Sequence, residues 1–116
     1  MNLGHWITAP ADLGMAACTF TRELAINKKI KKATAYASAM GVYTFILNGN
    51  KVGKGVLAPG WTSYKKRVLY QIYDITSLLV SNNKLEFGVG QGWAVGQVGY
   101  THVRYLGVLI SGRYTF

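Results

Sequence analysis

Carboxyl groups are the first residues to consider, because paired carboxyl groups can donate and abstract protons in one site. The chain has four: Asp12, Glu23, Asp74 and Glu86. Asp12 falls in a predicted loop, and Asp74 precedes a predicted helical turn. Glu23 and Glu86 fall on outward-facing positions of predicted strands. Since a catalytic pair must face each other across a substrate, this distribution predicts no catalytic residue.

Metal ligands and nucleophiles are equally sparse. His5 and His102 lie near opposite ends of the chain, without His, Cys or Asp neighbours at ligand spacing, so no metal site is predicted. Cys18 is the only cysteine and alternates with Phe20, which indicates a small buried side chain rather than a nucleophile. The glycines between 88 and 99 follow a predicted strand and open no helix, so they form no phosphate-binding loop. We expect no cofactor.

Aromatic and amide side chains concentrate in two predicted loops. Flat rings can stack on the C–H faces of a sugar while amides orient its hydroxyl groups. The candidates are Trp61 and Tyr64 in the first loop and Gln91, Trp93, Gln97 and Tyr100 in the second. The other interpretation is that these rings are half-buried plugs of the fold or docking surfaces for a neighbouring domain. We favour this second interpretation for Trp61 and Trp93 and leave Tyr64 and Tyr100 open.

The central stretch, residues 41–76, predicts an antiparallel β unit. Tyr43, Phe45 and Leu47 alternate on one face of a strand, and Asn48-Gly49 then supplies a tight hairpin turn. A loop containing Pro59-Gly60 leads to a second extended run, Arg67 to Tyr73, in which Val68, Tyr70 and Ile72 share a face.

Several further segments have a period of two. The predicted strands are Trp6–Thr8, Cys18–Ile26, Lys28–Met40, a run containing Leu85, Phe87 and Val89, and Val103–Tyr114. Arg22 falls on the inward side of its strand, which predicts either an edge strand or a bulge. Residues 28–40 also contain good helix formers, but Ala35, Ala37 and Ala39 favour a strand that brings Tyr43 or Phe45 close.

Short connections complete the predicted order. Residues 74–79 are expected to form one helical turn, in which Asp74 or Thr76 accepts hydrogen bonds and Leu78 and Leu79 close one end of the fold. Ser81–Asn83 are expected to form a turn. The fold class predicted is all-β: a two-sheet antiparallel sandwich of jelly-roll, galactose-binding-like character.

The length of the chain limits it to one modest domain, and its composition is strongly basic. The 116 residues carry 13 Lys+Arg against 4 Asp+Glu, a net charge of +9. The basic residues concentrate in two short runs, 28–32 and 65–67, where connections are predicted. We interpret them as solvated turns and expect no nucleic-acid partner. A basic anion- or nucleic-acid-binding domain is the alternative, and it requires the two runs to merge into one patch.

No membrane partner is predicted, because no apolar run reaches the ~18 residues needed to span a bilayer. The segment MNLGHWITAPADLG has no basic region followed by an apolar one, so no signal peptide is expected. The compartment cannot be predicted.

Three segments carry a family resemblance: ASAMGVYTFILNGNKVG, VLAPGWTSYKKRVLYQIYDIT and GVGQGW. From about Trp6 to about Tyr100 the chain resembles the N-terminal β-sandwich module of bacterial α-L-rhamnosidases, which are large inverting glycoside hydrolases. The resemblance implies that the catalytic acids belong to a helical barrel domain that this chain lacks. It also implies that the sandwich continues beyond the matched segment. We therefore expect a single domain over 1–116, truncated at its C-terminal end, with an open sheet edge able to self-associate.

The second loop departs from the family pattern. A family sequence such as GDGWYRGRLG is here GQGWAVGQVG, with Gln91 in place of an acid and Ala94, Val95 and Gln97 in place of aromatic and basic residues. The acidic cluster of a calcium-dependent rhamnose site is also missing. The expected function is therefore a non-catalytic accessory module that braces the catalytic domain of the parent chain and contacts rhamnose-containing glycans. An autonomous carbohydrate-binding module is the alternative.

Overall fold

The computed structural model describes residues 4–9, 16–64, 66–93 and 107–115, the last range as backbone alone. Its strands are β1 (Ile7–Thr8), β2 (Cys18–Ala25), β3 (Lys32–Met40), β4 (Val42–Leu47), β5 (Asn50–Lys51), β6 (Gln71–Asp74), β7 (Asn82–Gly90) and β8 (Gly107–Thr115), with a 3-10 turn at Thr76–Leu78. Sheet A has the order β1-β8-β3-β6 and sheet B the order β2-β7-β4-β5, and all neighbours are antiparallel. The predicted two-sheet antiparallel sandwich is confirmed. Within these ranges no helix is long and apolar enough to cross a membrane.

The Asn48-Gly49 hairpin forms as predicted. Both residues have positive φ, 52° and 81°, which suits a turn whose twist matches the flanking strands. Leu47 pairs with Asn50 across the turn. Tyr43, Phe45 and Leu47 all point into the core and are buried.

The alanine segment is a strand, so the helical alternative is wrong. β3 lies inside sheet A, between β6 and β8, with Ala33, Ala35, Ala37 and Ala39 buried. Helix propensity is a weak preference, and the period-two row of small side chains prevails because it fits under large rings from sheet B. The Tyr43 hydroxyl reaches to 3.5 Å from the carbonyl oxygen of Ala37, as the small side chains predict.

The aromatic core lies between these alanines and sheet B. Phe45 and Phe87 stack with ring centroids 4.3 Å apart, and Tyr73 approaches the edge of Phe45 at 6.0 Å. Val52, Ile75 and Val89 complete the buried set. The rings of sheet B therefore interdigitate with the alanine methyl groups of β3 and with the ring of Tyr73 on β6 of sheet A.

The inward position of Arg22 is explained by an edge strand. The register of β2 on β7 runs without interruption from Cys18 opposite Val89 to Ala25 opposite Asn82, so the strand contains no bulge. β2 is the outermost strand of sheet B, and Arg22 is exposed there.

Several boundaries differ from prediction. The strand predicted over Lys28–Met40 begins at Lys32. The strand expected over 67–73 is shorter, because the carbonyl of Leu69 accepts a hydrogen bond from the Ser38 hydroxyl (2.6 Å) and ladder pairing begins at Gln71. Its Val68, Tyr70 and Ile72 face is the outer one. The turn expected at Ser81–Asn83 is shorter too, since β7 begins at Asn82. Part of the last predicted strand, 103–106, lies outside the described residues.

Asp74 initiates the short 3-10 turn, as predicted. Its Oδ1 accepts hydrogen bonds from the Thr76 hydroxyl (2.6 Å) and the Thr76 amide (3.0 Å). The Thr76 Oγ1 in turn accepts the Ala33 amide at 3.0 Å, which ties the turn to the start of β3. Leu78 and Leu79 are half-buried against the core at this end.

Candidate functional site

The first candidate loop is held beside β4. We call it the aromatic loop (residues 52–64 and 66–70). The Val52 amide donates to the Phe45 carbonyl (2.8 Å), and further along the Tyr43 amide donates to the Ala58 carbonyl (2.8 Å). The loop thus runs back along β4 toward Gly41, where β3 turns into β4. We call this the Gly41 end of the sandwich.

The second candidate loop begins at the same end. Gly90 pairs with Val42, and Gly92 packs so tightly that a Cβ there would lie 2.8 Å from Val42 Cγ1 and 3.3 Å from the Gly41 carbonyl carbon. Trp93 follows and is half-buried, whereas Gln91 is exposed. Gln97 and Tyr100 lie outside the described residues. Sequence alone could not establish that the two loops share one end of the fold.

The two aromatic side chains of this loop that the sequence singled out, Trp61 and Tyr64, differ in solvent exposure. Trp61 is 69% exposed, so its interpretation as a half-buried plug is wrong. Tyr64 is half-buried, and its hydroxyl donates to the Gly60 carbonyl at 3.2 Å. Burial raises the pKa of this phenol. The indole of Trp61 is therefore available for contact, while Tyr64 supports the loop from within.

Two further apolar residues of the aromatic loop, which the sequence did not single out, are also exposed. Val56 is 79% exposed and Leu57 57% exposed. Leu57 has φ of 54°, a left-handed conformation that leucine rarely adopts and that costs roughly 1–2 kcal/mol. The sequence VLAPG is typical of an ordinary loop. Nothing in its residue pattern predicts that Val56 and Leu57 are exposed or that Leu57 is left-handed.

A chain of polar contacts fastens the aromatic loop to both sheets. The hydroxyl oxygens of Tyr43 and Tyr73 lie 2.8 Å apart, and the Tyr43 hydroxyl donates to Gln71 Oε1 at 2.8 Å. Gln71 Nε2 donates to the Pro59 carbonyl at 3.1 Å. Burial raises the pKa of Tyr43, so this hydroxyl stays protonated and keeps its donor role. The Gly41 end is therefore a fixed platform.

The carboxyl groups of the described residues lie on the outer face of sheet B and beside the 3-10 turn. Glu86 forms an ion pair with Lys84 at 3.1 Å, and Glu23 lies opposite Lys84 on the outer side of sheet B. The hydrogen bonds from the Thr76 hydroxyl and amide lower the pKa of Asp74, the opposite of what a general acid requires. Asp12 lies outside the described residues.

Potential metal ligands and basic residues are dispersed over the described part of the chain. The described residues contain no group of three or more His, Cys, Asp or Glu that could hold a metal. Lys28 and Lys29 lie beside Thr76 and Ser81, at the end opposite Gly41, whereas Lys66 and Arg67 belong to the aromatic loop. β3 spans ~30 Å between these ends. The basic runs therefore do not form the single patch that the nucleic-acid alternative requires.

Comparison with known proteins identifies the family. The model of the α-L-rhamnosidase N-terminal domain matches residues 28–111. An α-L-rhamnosidase of Streptomyces avermitilis is 50% identical over 74 residues, and these are 63% of this chain but 7% of that protein. One from Formosa agariphila is 41% identical over 81 residues, or 69% of this chain and 8% of that protein.

Solved structures agree in fold and in coverage. The crystal structure of the Streptomyces avermitilis α-L-rhamnosidase complexed with L-rhamnose matches with a TM-score of 0.80 at 37% identity, over 89% of this chain and 10% of that chain. Native α-L-rhamnosidase from Aspergillus terreus gives 0.77 at 32% identity, over 85% of this chain and 13% of that chain. The chain thus spans a small part of the relatives that it matches. It belongs to the α-L-rhamnosidase N-terminal domain family.

Proposed function

We propose that this chain is the non-catalytic accessory module of an α-L-rhamnosidase and braces the catalytic part of the longer enzyme. The observation that carries the proposal is that Val56, Leu57 and Trp61 are all exposed within one short stretch of the aromatic loop, residues 56–61, which we call the docking surface. The chain covers only 7% to 13% of the related enzymes, so a large partner surface is available in such a protein.

The chemistry of the docking surface suits a protein partner. Two aliphatic side chains and an indole are exposed in a loop that the hydrogen bonds of Gln71 to Tyr43 and Pro59 anchor, and an aromatic side chain is typical of the residues that carry binding energy. Exposure of such groups is unfavourable in water and becomes favourable when a partner covers them. The left-handed conformation of Leu57 fits this role, because strained exposed residues concentrate at functional surfaces.

The test is binding in trans. The purified chain is titrated by calorimetry into a rhamnosidase produced without its N-terminal domain. We expect Trp61→Ala to weaken binding at least tenfold, which corresponds to ~1.4 kcal/mol, and Val56→Ser to weaken it less.

Val80→Ser is the matched control, since Val80 is 59% exposed at the opposite end of the sandwich. Equal weakening by Val80→Ser and Val56→Ser, or unchanged binding with Trp61→Ala, would contradict docking through this surface.

Carbohydrate contact is the second candidate, favoured by the exposed indole of Trp61 at the end that also carries Trp93. The chain is titrated with L-rhamnose and rhamnosylated oligosaccharides while amide shifts are followed by NMR. Saturable shifts that Trp61→Ala or Trp93→Ala abolishes, with the fold intact, would make the chain a carbohydrate-binding module. A spectrum unchanged at high millimolar sugar would leave docking as its role.

A further inference from the structure

The hairpin sequence Asn48-Gly49 is chemically labile as well as suited to a turn. It is the only place in the chain where a glycine follows an asparagine. Because glycine has no Cβ, its backbone nitrogen can approach the side chain of the preceding residue closely. Attack of the Gly49 nitrogen on Asn48 Cγ forms a succinimide ring, and the Cγ–Nδ2 bond breaks as the Gly49 amide proton leaves with Nδ2 as ammonia. Water then opens the ring to aspartate or isoaspartate at position 48.

The folded chain holds the Asn48 side chain away from this reaction. Its Nδ2 donates to the Leu78 carbonyl at 3.0 Å and to Asn83 Oδ1 at 2.9 Å. Its Oδ1 accepts the Lys84 amide at 2.8 Å. Both atoms of the carboxamide are therefore engaged with β7 and with the 3-10 turn. Ring closure requires these hydrogen bonds to break, because the carboxamide must rotate onto the nitrogen of Gly49.

Asn83, the partner of Asn48, is itself fixed by the fold. It is 3% exposed, and its Oδ1 also accepts the Val80 amide at 2.8 Å. Its Nδ2 donates to the Val80 carbonyl at 2.7 Å and to the Leu24 carbonyl at 3.2 Å. Asn83 therefore cannot follow Asn48 if that side chain rotates. We call the pair Asn48 and Asn83 the asparagine clamp.

The backbone of the turn adds to this protection, whereas water does not limit the reaction. The Asn48 amide donates to the Lys84 carbonyl at 2.9 Å, and both turn residues have positive φ. The succinimide ring joins this backbone to the side chain, so the turn must distort when the clamp opens. A cleft of about 380 Å³ lies beside Asn48 and Asn83, and Gly49 is exposed. Water can therefore reach the ring once it has formed.

The product of the reaction cannot rebuild the clamp. In aspartate a carboxylate oxygen replaces Nδ2, and it would face the Leu78 carbonyl and Asn83 Oδ1, which are both acceptors. Acceptors that lose their donor inside a fold destabilise it. Isoaspartate also inserts the Cβ of residue 48 into the main chain, which changes the length of a two-residue turn. Either product therefore loosens the contact between the hairpin and β7.

We propose that Asn48 is a deamidation site that the asparagine clamp protects in the folded chain. The reaction proceeds when this end of the sandwich opens locally, without unfolding of the whole domain. Each event is irreversible, because ammonia is lost and the product lacks the donors of the clamp. The site lies at the end of β4 away from Gly41, and the inference does not rest on the proposed function.

Protection by the fold is tested on the purified chain without any substitution. The chain is incubated at one pH and temperature, in native buffer and in guanidinium chloride sufficient to unfold it. Peptide mapping by mass spectrometry follows the mass gain at Asn48, with Asn50, which precedes a lysine, as the internal reference. Deamidation of Asn48 should be at least about tenfold slower in the folded chain. Equal rates in the two solutions would overturn the proposal.

The role of the clamp is tested by Asn83→Ala. This variant removes one acceptor from Asn48 and should accelerate deamidation several-fold in native buffer, with no change in guanidinium chloride. Tyr43→Phe is the control, because it removes hydrogen bonds to Gln71 and Tyr73 and none of the clamp. Equal acceleration by the two variants would show that the reaction follows global unfolding, and local opening of the clamp would be wrong.

The irreversible loss of the clamp is tested by comparing Asn48→Asp with Asn50→Asp. Both add one negative charge to the same hairpin, but the Asn50 side chain is exposed and makes only a 3.4 Å contact to the Asn48 carbonyl. Asn48→Asp should lower the urea midpoint and speed hydrogen exchange at the amides of Val80 and Lys84, whereas Asn50→Asp should change neither. Equal midpoints and exchange rates in the two variants would overturn this part of the proposal.

Discussion

At the scale of single residues, Tyr43 does more for the fold than its apolar character suggests. Its ring belongs to the core of sheet B, and its hydroxyl meets Tyr73, Gln71 and the backbone of Ala37 on sheet A. Period-two alternation predicts that this ring is buried. It cannot predict the polar contacts at its tip, because these depend on which residue of the other sheet lies opposite.

We expect Tyr43→Phe to lower the free energy of unfolding by ~1–3 kcal/mol, because the variant leaves Gln71 Oε1 without its buried donor. Urea denaturation followed by fluorescence measures the change. Tyr36→Phe is the control, since the Tyr36 ring is half-buried on the outer face of sheet A and contacts Tyr70 at 6.3 Å. A cost for Tyr36→Phe equal to that for Tyr43→Phe would show that the polar contacts contribute nothing specific.

The hydrogen bonds to Asp74 predict that the stability of the fold depends on pH. The hydrogen bonds from the Thr76 hydroxyl and amide lower the pKa of this carboxyl in the folded state, so folding favours the ionised form. The resulting stability is present above the unfolded-state pKa of about 3.9 and is lost as the pH falls through the lower folded-state pKa.

The stability difference between wild type and Asp74→Asn should therefore shrink as the pH is lowered from 6 toward 2. Urea midpoints of both proteins measure it. A difference that stays constant across this range would mean that the hydrogen bonds to Asp74 do not depend on its charge.

At the scale of elements, the strand of small residues sets the distance between the sheets. Ala37 is fully buried in β3, beneath the ring of Tyr43. A larger side chain there must displace either the ring or the sheet, and overpacking of this kind costs typically ~1–3 kcal/mol.

We expect Ala37→Leu to destabilise the chain by at least that amount, measured as a loss in the free energy of unfolding in urea. Ala25→Leu is the control, because Ala25 is exposed at the end of the edge strand β2 and should change stability by less than ~0.5 kcal/mol. If Ala37→Leu were tolerated as well as Ala25→Leu, the close approach of the two sheets at β3 would be wrong.

The elements also show where prediction from sequence succeeds. Asn48-Gly49 and the alternation around it are local signals, and the hairpin formed where they placed it. The residue at which β6 begins cannot be predicted from local sequence, because the Ser38 hydroxyl, on another strand, donates a hydrogen bond to the Leu69 carbonyl. Arg22 is an intermediate case, in which the sequence narrowed the choice to an edge or a bulge and the strand order resolved it.

At the scale of the whole molecule, composition singles out the aromatic and glycine-rich loops but not their arrangement. The exposure of Trp61 is compatible with docking, and its role in contact remains a prediction. The shared position of the two loops at the Gly41 end required the strand order, and the exposure of Val56 and Leu57 required the path of the loop along β4. These are long-range properties that a periodic pattern does not encode.

The positions of the basic residues on the surface are likewise known only from the whole fold. The basic runs looked alike in sequence, yet Lys28 and Lys29 stand at the opposite end from Lys66 and Arg67.

The most direct test of the accessory role is an assay of aryl α-L-rhamnoside hydrolysis. It compares the purified chain, a rhamnosidase produced without its N-terminal domain, and the two mixed. The chain alone should show no turnover above buffer, and its addition should raise the activity or thermal half-life of the truncated enzyme. Turnover by the chain alone that is lost in Asp74→Asn or Glu86→Gln would contradict the account, because these 116 residues would then contain a catalytic site.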